Sequence, residues 1–394
     1  MRDKAFCKLL DRWLGIPLVL VLGLMQRLAC KAPGRLQRPL QAGDRVLVMK
    51  LSALGDTLLL LPLLKALRQA VGPQGRIEVV ATEVNREVLE DCPWLDAVLV
   101  LDLPRMFREP WFGWLFFKGL RSRGYNLALD MDQWQRFTPL ACWAAGATQI
   151  VGFKTPGQHR HGLYLKSAPH IPGRHEFEQF KDVAALAGLD LKRVEAWPGF
   201  LARNLRLWKG GLKALPPAPP KAYLVLAPGC GKRGWQRAWP EDRWAALIQA
   251  LAQRGWQMVL IGQGDYEKAL VARLAQGSQA LDLSGQLDYA GLLRLLCRAS
   301  LVVCGNTGVM HLAAGLSRPL VALHGPTNPD KWGPIPPGSR GAAVTLALSA
   351  NLACSPCLNL GFEYGCQGRA CMEALEPWAV EQACLSALSR GARA

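Results

Sequence analysis

The sequence predicts an α/β protein built from two doubly wound, parallel-sheet domains. Three observations carry this. From Arg45 onward, short apolar strands alternate with helices. The alternation restarts after the Pro-rich stretch Lys209–Lys221, KGGLKALPPAPPK, which reads as a linker. Finally, Val302–Trp332 reads as strand, Gly-rich turn, helix and strand, the arrangement that aims free backbone N–H groups and a helix dipole at an anion.

Within residues 1–40 lies an uncharged run, Trp13 to Gln26, flanked by Arg2, Lys4, Lys8 and Arg12 on one side and Arg27, Lys31, Arg35 and Arg38 on the other. It falls short of the ~20 apolar residues a spanning helix needs. Leu28-Ala-Cys30 is a weak match to a processing site. The expected state is an interfacial helix on anionic head groups, the competing one a helix packed on the protein's own core. In residues 41–208, Val46–Met49, Ile77–Ala81, Ala97–Leu101, Asn126–Leu129 and Gln149–Phe153 read as strands. A helix is expected from Asp56 to Ala70, closed by Gly72, and residues 154–175 read as a polar, basic loop. In residues 222–394, Tyr223–Ala227, Gln257–Ile261 and Leu281–Leu283 read as strands. Helices are expected over Pro240–Arg254, Asp265–Ala275 and Asp288–Arg298, the first burying Trp244, Leu247, Ile248 and Leu251. Ligands of doubly wound sheets sit at the carboxyl ends of the strands, so the cleft between the halves is the expected site.

The formal charge of +17 over 394 residues suits a phosphate-bearing substrate, an anionic membrane surface or nucleic acid. With no aromatic-and-basic platform, zinc-finger or RNP pattern, nucleic acid is set aside. The twelve cysteines fall largely in apolar stretches, and without a clean signal peptide they point to a reducing, cytoplasmic setting rather than a disulfide framework.

Several motifs carry chemistry. Lys50-Leu-Ser-Ala-Leu-Gly-Asp56 follows the first strand, where Asp56 suits a general base and equally suits a helix cap. Ala227–Trp244 places Lys232, Arg233 and Arg237 in a Gly-rich loop before a helix, charges that a diphosphate leaving group wants. Its spacing is not that of a P-loop. Asp265 or Glu267, after Gly262-Gln-Gly264, can reach ribose hydroxyls or simply open a helix. Asp130-Met-Asp132 spells the acidic triplet of metal-dependent glycosyltransferases, yet lies in the half away from the nucleotide loop, so no metal role is assigned. Gln133, Trp134 and Arg136 beside it can line an acceptor side. Cys354, Cys357, Cys366 and Cys371 fall within eighteen residues, a partial zinc pattern that equally reads as a redox pair or packed thiols.

Taken together, these stretches resemble glycosyltransferase family 9, the lipopolysaccharide heptosyltransferases. The motifs, in order over residues 45–390, are VLVMKLSALGDTLLLLPLLKALR, LALDMDQWQRF with IVGFKTPGQ, LAPGCGKRGWQRAWPEDRW, LSGQLDYAGLLRLLCRASLVVCGNTGVMHLAAGLSRPLVALHGPTNP and the CSPC…C…CM tail. The resemblance implies a GT-B fold and an inverting, metal-independent transfer of heptose from ADP-heptose to a lipopolysaccharide core acceptor, with no cofactor required. It implies Asp56 as catalytic base, and Lys232, Arg237, Asp265, Asn306, Thr307, Gly308, Val309 and His311 on the donor. Asn306 stands where the family usually has Asp, which removes a charge beside the donor and bears on its sugar or base preference. Lys50, Gln133, Arg136, Lys154 and Arg160 are expected to meet a phosphorylated, lipid-linked acceptor at the inner face of the cytoplasmic membrane.

Overall fold

The computed structural model describes residues 11–29, 38–208, 222–336, 344–358, 366 and 368–391. The side chains of Gln26, Arg27, Ala29, Lys232 and Arg233 lie outside the description, as does the expected linker 209–221.

The chain divides into two compact units. One comprises Met1–Ile171 and Phe177–Glu195, the other Pro172–Glu176 and Ala196–Ala394. The first holds the strands β1 (Arg45–Met49), β2 (Arg76–Ala81), β3 (Ala97–Val100), β4 (Leu127–Asp130), β5 (Gln149–Lys154) and β6 (Lys166–Pro169). Their order is β3-β2-β1-β4-β5-β6, all parallel, with Val46 in register with Ile77 on one side and Leu127 on the other. The second holds β7 (Tyr223–Ala227), β8 (Gln257–Leu260), β9 (Leu281–Asp282), β10 (Leu301–Gly305), β11 (Leu320–His324) and β12 (Thr345–Ser349), ordered β12-β11-β10-β7-β8-β9. Counted along the chain, the two orders are the same.

Central strands of such sheets are covered on both faces and therefore read as unbroken apolar runs. Val46–Met49 and Leu301–Cys304 are buried throughout. The Glu241–Gln253 helix buries Trp244, Leu247, Ile248 and Leu251 on one stripe, as its periodicity requires. In each sheet the strand order reverses beside the first strand, between β1 and β4 and between β7 and β10. The carboxyl ends of these pairs form a crevice that the fold leaves open to ligands.

Four elements differ from expectation or were not expected. The helix after β1 starts at Leu54, not Asp56, because Ala53 takes a left-handed turn (φ 67°) and reverses the chain early. β6 lies inside the expected basic loop: as an edge strand paired only with β5, it needs no apolar run. β12 and the Pro377–Gly391 helix complete the second unit.

The apolar run near the start forms the Gly15–Ala29 helix. Gly15, Val19 and Gly23 face inward, and a Cβ on Gly23 would come within 2.4 Å of the Gly162 carbonyl oxygen. Leu18, Leu20, Val21, Leu24, Met25 and Leu28 remain exposed. The helix thus packs on its own unit along a narrow small-residue stripe and offers the rest of its apolar surface to solvent. Among the described residues, no helix is long and apolar enough to cross a membrane.

Candidate active site

At the end of β1 the chain leaves the sheet through Lys50, whose amide still bonds the Val80 carbonyl (3.0 Å). Its ammonium is fully buried. It donates to Asp56 Oδ2 (3.3 Å), the Met131 carbonyl (3.2 Å), Asp132 Oδ1 (3.4 Å) and Gln133 Oε1 (3.4 Å). Asp132 in turn shapes the loop, accepting from the Leu51 amide (2.6 Å) and the Ser52 hydroxyl (2.9 Å). One cation thus gathers two carboxylates from the two strands that flank the crossover. A buried charge is tolerated only when paired in this way. Asp56 stands in the first turn of the Leu54–Val71 helix, where the dipole favours an anion. The N-cap is Ala53, so Asp56 does not cap the helix.

Next to this lies a second buried network. Arg160 Nη2 bonds Asp130 Oδ2 (2.7 Å), which also accepts from Tyr164 (2.6 Å) and Thr138 (2.9 Å). Burial raises the Asp130 carboxyl above its ordinary range, opposed by the Arg160 charge. Burial also works against the Arg160 guanidinium, but Asp130, Tyr164 and Asp132 together outweigh it and hold the group above its usual value.

In the second unit, the loop after β7 is held by Glu267, whose carboxylate accepts from the Gly231 amide (2.7 Å) and the Gln263 amide (2.9 Å). The loop continues as a 3-10 turn, Lys232–Arg237. Beside it β10 ends at Gly305, where a Cβ would sit 3.0 Å from Cys230 Sγ and 3.8 Å from the Arg237 carbonyl oxygen, so the strand and the loop close up only around a glycine. Two residues on, Thr307 precedes the Gly308–Gly315 helix, yet its side chain makes no cap bond. The Thr307 hydroxyl, Arg237 Nε, His311 Nδ1 and His324 Nε2 are all buried without a partner. Thr307 and His311 belong to the start of this helix, His324 ends β11, and buried polar atoms are nearly always satisfied. Asn306 Nδ2 donates to the Trp332 carbonyl (3.0 Å).

A model of glycosyltransferase family 9 (heptosyltransferase) matches residues 114–363, more than half of the chain. The chain belongs to glycosyltransferase family 9. Lipopolysaccharide heptosyltransferase 1 of Pseudomonas aeruginosa is 28% identical over 324 residues, 80% of this chain and 86% of that protein. Lipopolysaccharide heptosyltransferase 2 of Escherichia coli K12 is 28% identical over 306 residues, 74% and 85% of the two chains. Among solved structures, a family 9 glycosyltransferase from Veillonella parvula superposes with a TM-score of 0.66 at 19% identity, covering 90% of this chain and 99% of that one. The E. coli heptosyltransferase WaaC with ADP-2-deoxy-2-fluoro heptose does so at 0.63 and 22%, covering 86% and 98%. The fold is therefore of the GT-B type, and the protein is a glycosyltransferase.

The expected site residues of this family 9 enzyme divide into those at a strand-order reversal and those elsewhere. Lys50, Asp56 and Gln133 gather at the end of β1 and β4. Arg237, Asn306, Thr307, Gly308, Val309 and His311 gather at the end of β7 and β10. Lys232 lies on the same loop, its side chain outside the description. Asp265 opens the Asp265–Ala275 helix as an exposed residue, while Glu267 is spent on the loop backbone. Two residues expected on the acceptor side are engaged within their own unit. Arg160 is fully buried on Asp130. Arg136 pairs with Asp11 (3.1 Å) and bonds the Gln158 and Gly157 carbonyls, tying down the start of the N-terminal helix. Lys154 is exposed at the end of β5. Cys354 and Cys366 are exposed, Cys357 half-buried and Cys371 buried, so their thiols lie at different depths. Among the described residues, no group of three or more His, Cys, Asp or Glu is placed to hold a metal ion.

Three residues of the second unit escaped the sequence reading. Lys331 and Glu176 form a fully buried pair (2.8 Å), and His175 Nε2 lies 3.1 Å from the Gly333 carbonyl oxygen. A Lys and an acid 155 positions apart in sequence give no local signal of pairing. His324 was legible in principle, as a polar residue ending an apolar parallel strand.

The buried histidines set a pH dependence. Burial, followed by the neighbouring His175 and His324, pushes His311 down to about 3, and burial pushes His324 down to about 4. An unfolded histidine titrates near ~6.5, so below that pH the unfolded chain binds protons that the folded chain refuses. Stability contributed by these groups is complete above ~6.5 and falls as pH drops toward 4. The melting temperature is expected to be lower at pH 5 than at pH 7, and a His311→Gln, His324→Gln variant to lose part of that difference.

Proposed function

We propose that this enzyme transfers a heptose from ADP-heptose to a lipopolysaccharide core acceptor, with inversion and without a metal. The observation that carries the reading is the pair of orphaned donors, Arg237 Nε on the loop after β7 and the Thr307 hydroxyl at the N-terminus of the Gly308–Gly315 helix. A nucleoside diphosphate supplies the acceptors these atoms lack. The heptosyltransferase relatives support the donor and acceptor classes.

The acceptor hydroxyl gives its proton to Asp56 as its oxygen attacks the anomeric carbon from the face opposite the nucleotide. The transition state is oxocarbenium-like, and negative charge grows on the departing diphosphate. Arg237, Lys232 and the first-turn amides from Thr307 to Val309 take up that charge, the role a divalent metal fills elsewhere. The exposed apolar face of the N-terminal helix and the +17 balance support a peripheral position on the inner face of the cytoplasmic membrane, where a lipid-linked acceptor lies.

A second reading, transfer of a different nucleotide sugar, is favoured by Asn306. Its amide bonds the Trp332 carbonyl, a contact that a carboxylate would turn into repulsion between oxygens. Calorimetry with ADP-heptose, UDP-sugars and GDP-sugars separates the two. ADP-heptose is expected to bind best, and Arg237→Ala to weaken it by roughly tenfold or more, the scale of one charge-assisted hydrogen bond. Preference for a UDP- or GDP-sugar overturns the first reading.

A further inference from the structure

We propose that the Pro110–Arg121 helix, with Phe107 before it, is a second bilayer-docking element that takes an anionic lipid surface; this rests on the membrane reading above. The helix is apolar on both sides. Phe112, Phe116 and Phe117 pack against the core of the first unit, and Leu120 is buried within it. On the opposite side Trp111, Trp114, Leu115 and Lys118 follow at helical spacing, all exposed, with Trp111 at 67%. A surface helix ordinarily turns a polar face outward.

The chemistry of the stripe selects lipid. Trp111 and Trp114 stack with centroids 4.5 Å apart, and Lys118 Nζ lies 4.8 Å from the Trp114 ring centre. Tryptophan beside a long cation suits the head-group boundary, where the ring meets acyl chains and the ammonium stays among phosphates. Residues 103–121 carry Arg105, Arg108, Lys118 and Arg121 against Glu109, four cations to one anion. The patch is also joined to the first apolar helix through a shared neighbour. Phe117 packs on Phe137 (6.3 Å) at the start of the Phe137–Ala144 helix. There Asp11 accepts from the Arg136 and Phe137 amides (2.9 and 3.0 Å) and fixes the entry to the N-terminal helix. Two weak lipid contacts on one rigid unit reinforce each other, because the second binds at high effective concentration once the first is seated.

The test uses the full chain and co-sedimentation with phosphatidylglycerol–phosphatidylethanolamine vesicles and with phosphatidylcholine vesicles. The Trp111→Ser, Trp114→Ser variant is compared with a Leu20→Ser, Leu24→Ser variant of the first helix, each checked for an unchanged melting temperature. Wild type is expected to prefer the anionic vesicles, and each variant to partition about tenfold more weakly, as losing part of the buried area of two large side chains requires. If the Trp variant binds like wild type while the Leu variant does not, the second element is refuted and the membrane reading stands. If wild type binds neither vesicle, the membrane reading falls and takes this one with it. If the Trp variant keeps vesicle binding but loses self-association on size exclusion, the face contacts a second copy, and the lipid assignment is overturned.

Discussion

Replacing Asp56 with alanine is expected to lower turnover by about 10²–10⁴-fold, the usual worth of a positioned general base, while ADP-heptose affinity changes little. The separation follows from where the groups lie. Asp56 belongs to the first unit at the end of β1, and the orphaned donor atoms belong to the second unit at the end of β7 and β10. Asp56→Asn sharpens the test, since it preserves shape and a contact for Lys50 but cannot accept the proton. Single-turnover measurements alongside calorimetry check both quantities. Turnover of Asp56→Asn at the wild-type rate would remove this carboxylate from the chemistry.

Lys50→Met is expected to damage both stability and turnover. The ammonium lies within 3.4 Å of both Asp56 and Asp132, and all three groups are buried. Removing it takes a buried cation away from two buried carboxylates. Breaking a buried ion pair by deleting one partner typically costs about 3–5 kcal/mol. The loop between Lys50 and Ala53 is held by Asp132, so the position of Asp56 is expected to loosen as well. Denaturant unfolding should show the stability loss, and kcat should fall with donor affinity retained. A variant as stable as wild type would show that the pair is dispensable.

Much of the fold was legible because its signals are local. Apolar runs such as Val46–Met49 and Leu301–Cys304 mark strands that are buried on both faces, and the Trp244, Leu247, Ile248, Leu251 stripe marks a helix. The position of Lys50 was legible for the same reason, since a polar residue directly after a buried strand stands at the edge where such sheets take ligands. The partners of Arg136, before β5, and of Arg160, after it, were not. Arg160 and Arg136 look alike in sequence to a solvated cation such as Lys154. What separates them is a carboxylate far along the chain, Asp130 for one and Asp11 for the other. Long-range pairing leaves no trace in periodicity or spacing. The four tail cysteines lie at different depths in the fold, which their spacing does not show.

The short crossover Pro172–Glu176 has a consequence for dissecting the molecule. It is laid down before the last helix of the first unit, yet its contacts lie in the second, where Glu176 neutralises Lys331 and His175 meets Gly333. The second unit is therefore not severable within residues 209–221. A fragment cut there would lose the acid that Lys331 meets at 2.8 Å, and any excised version has to bring a graft of these five residues with it.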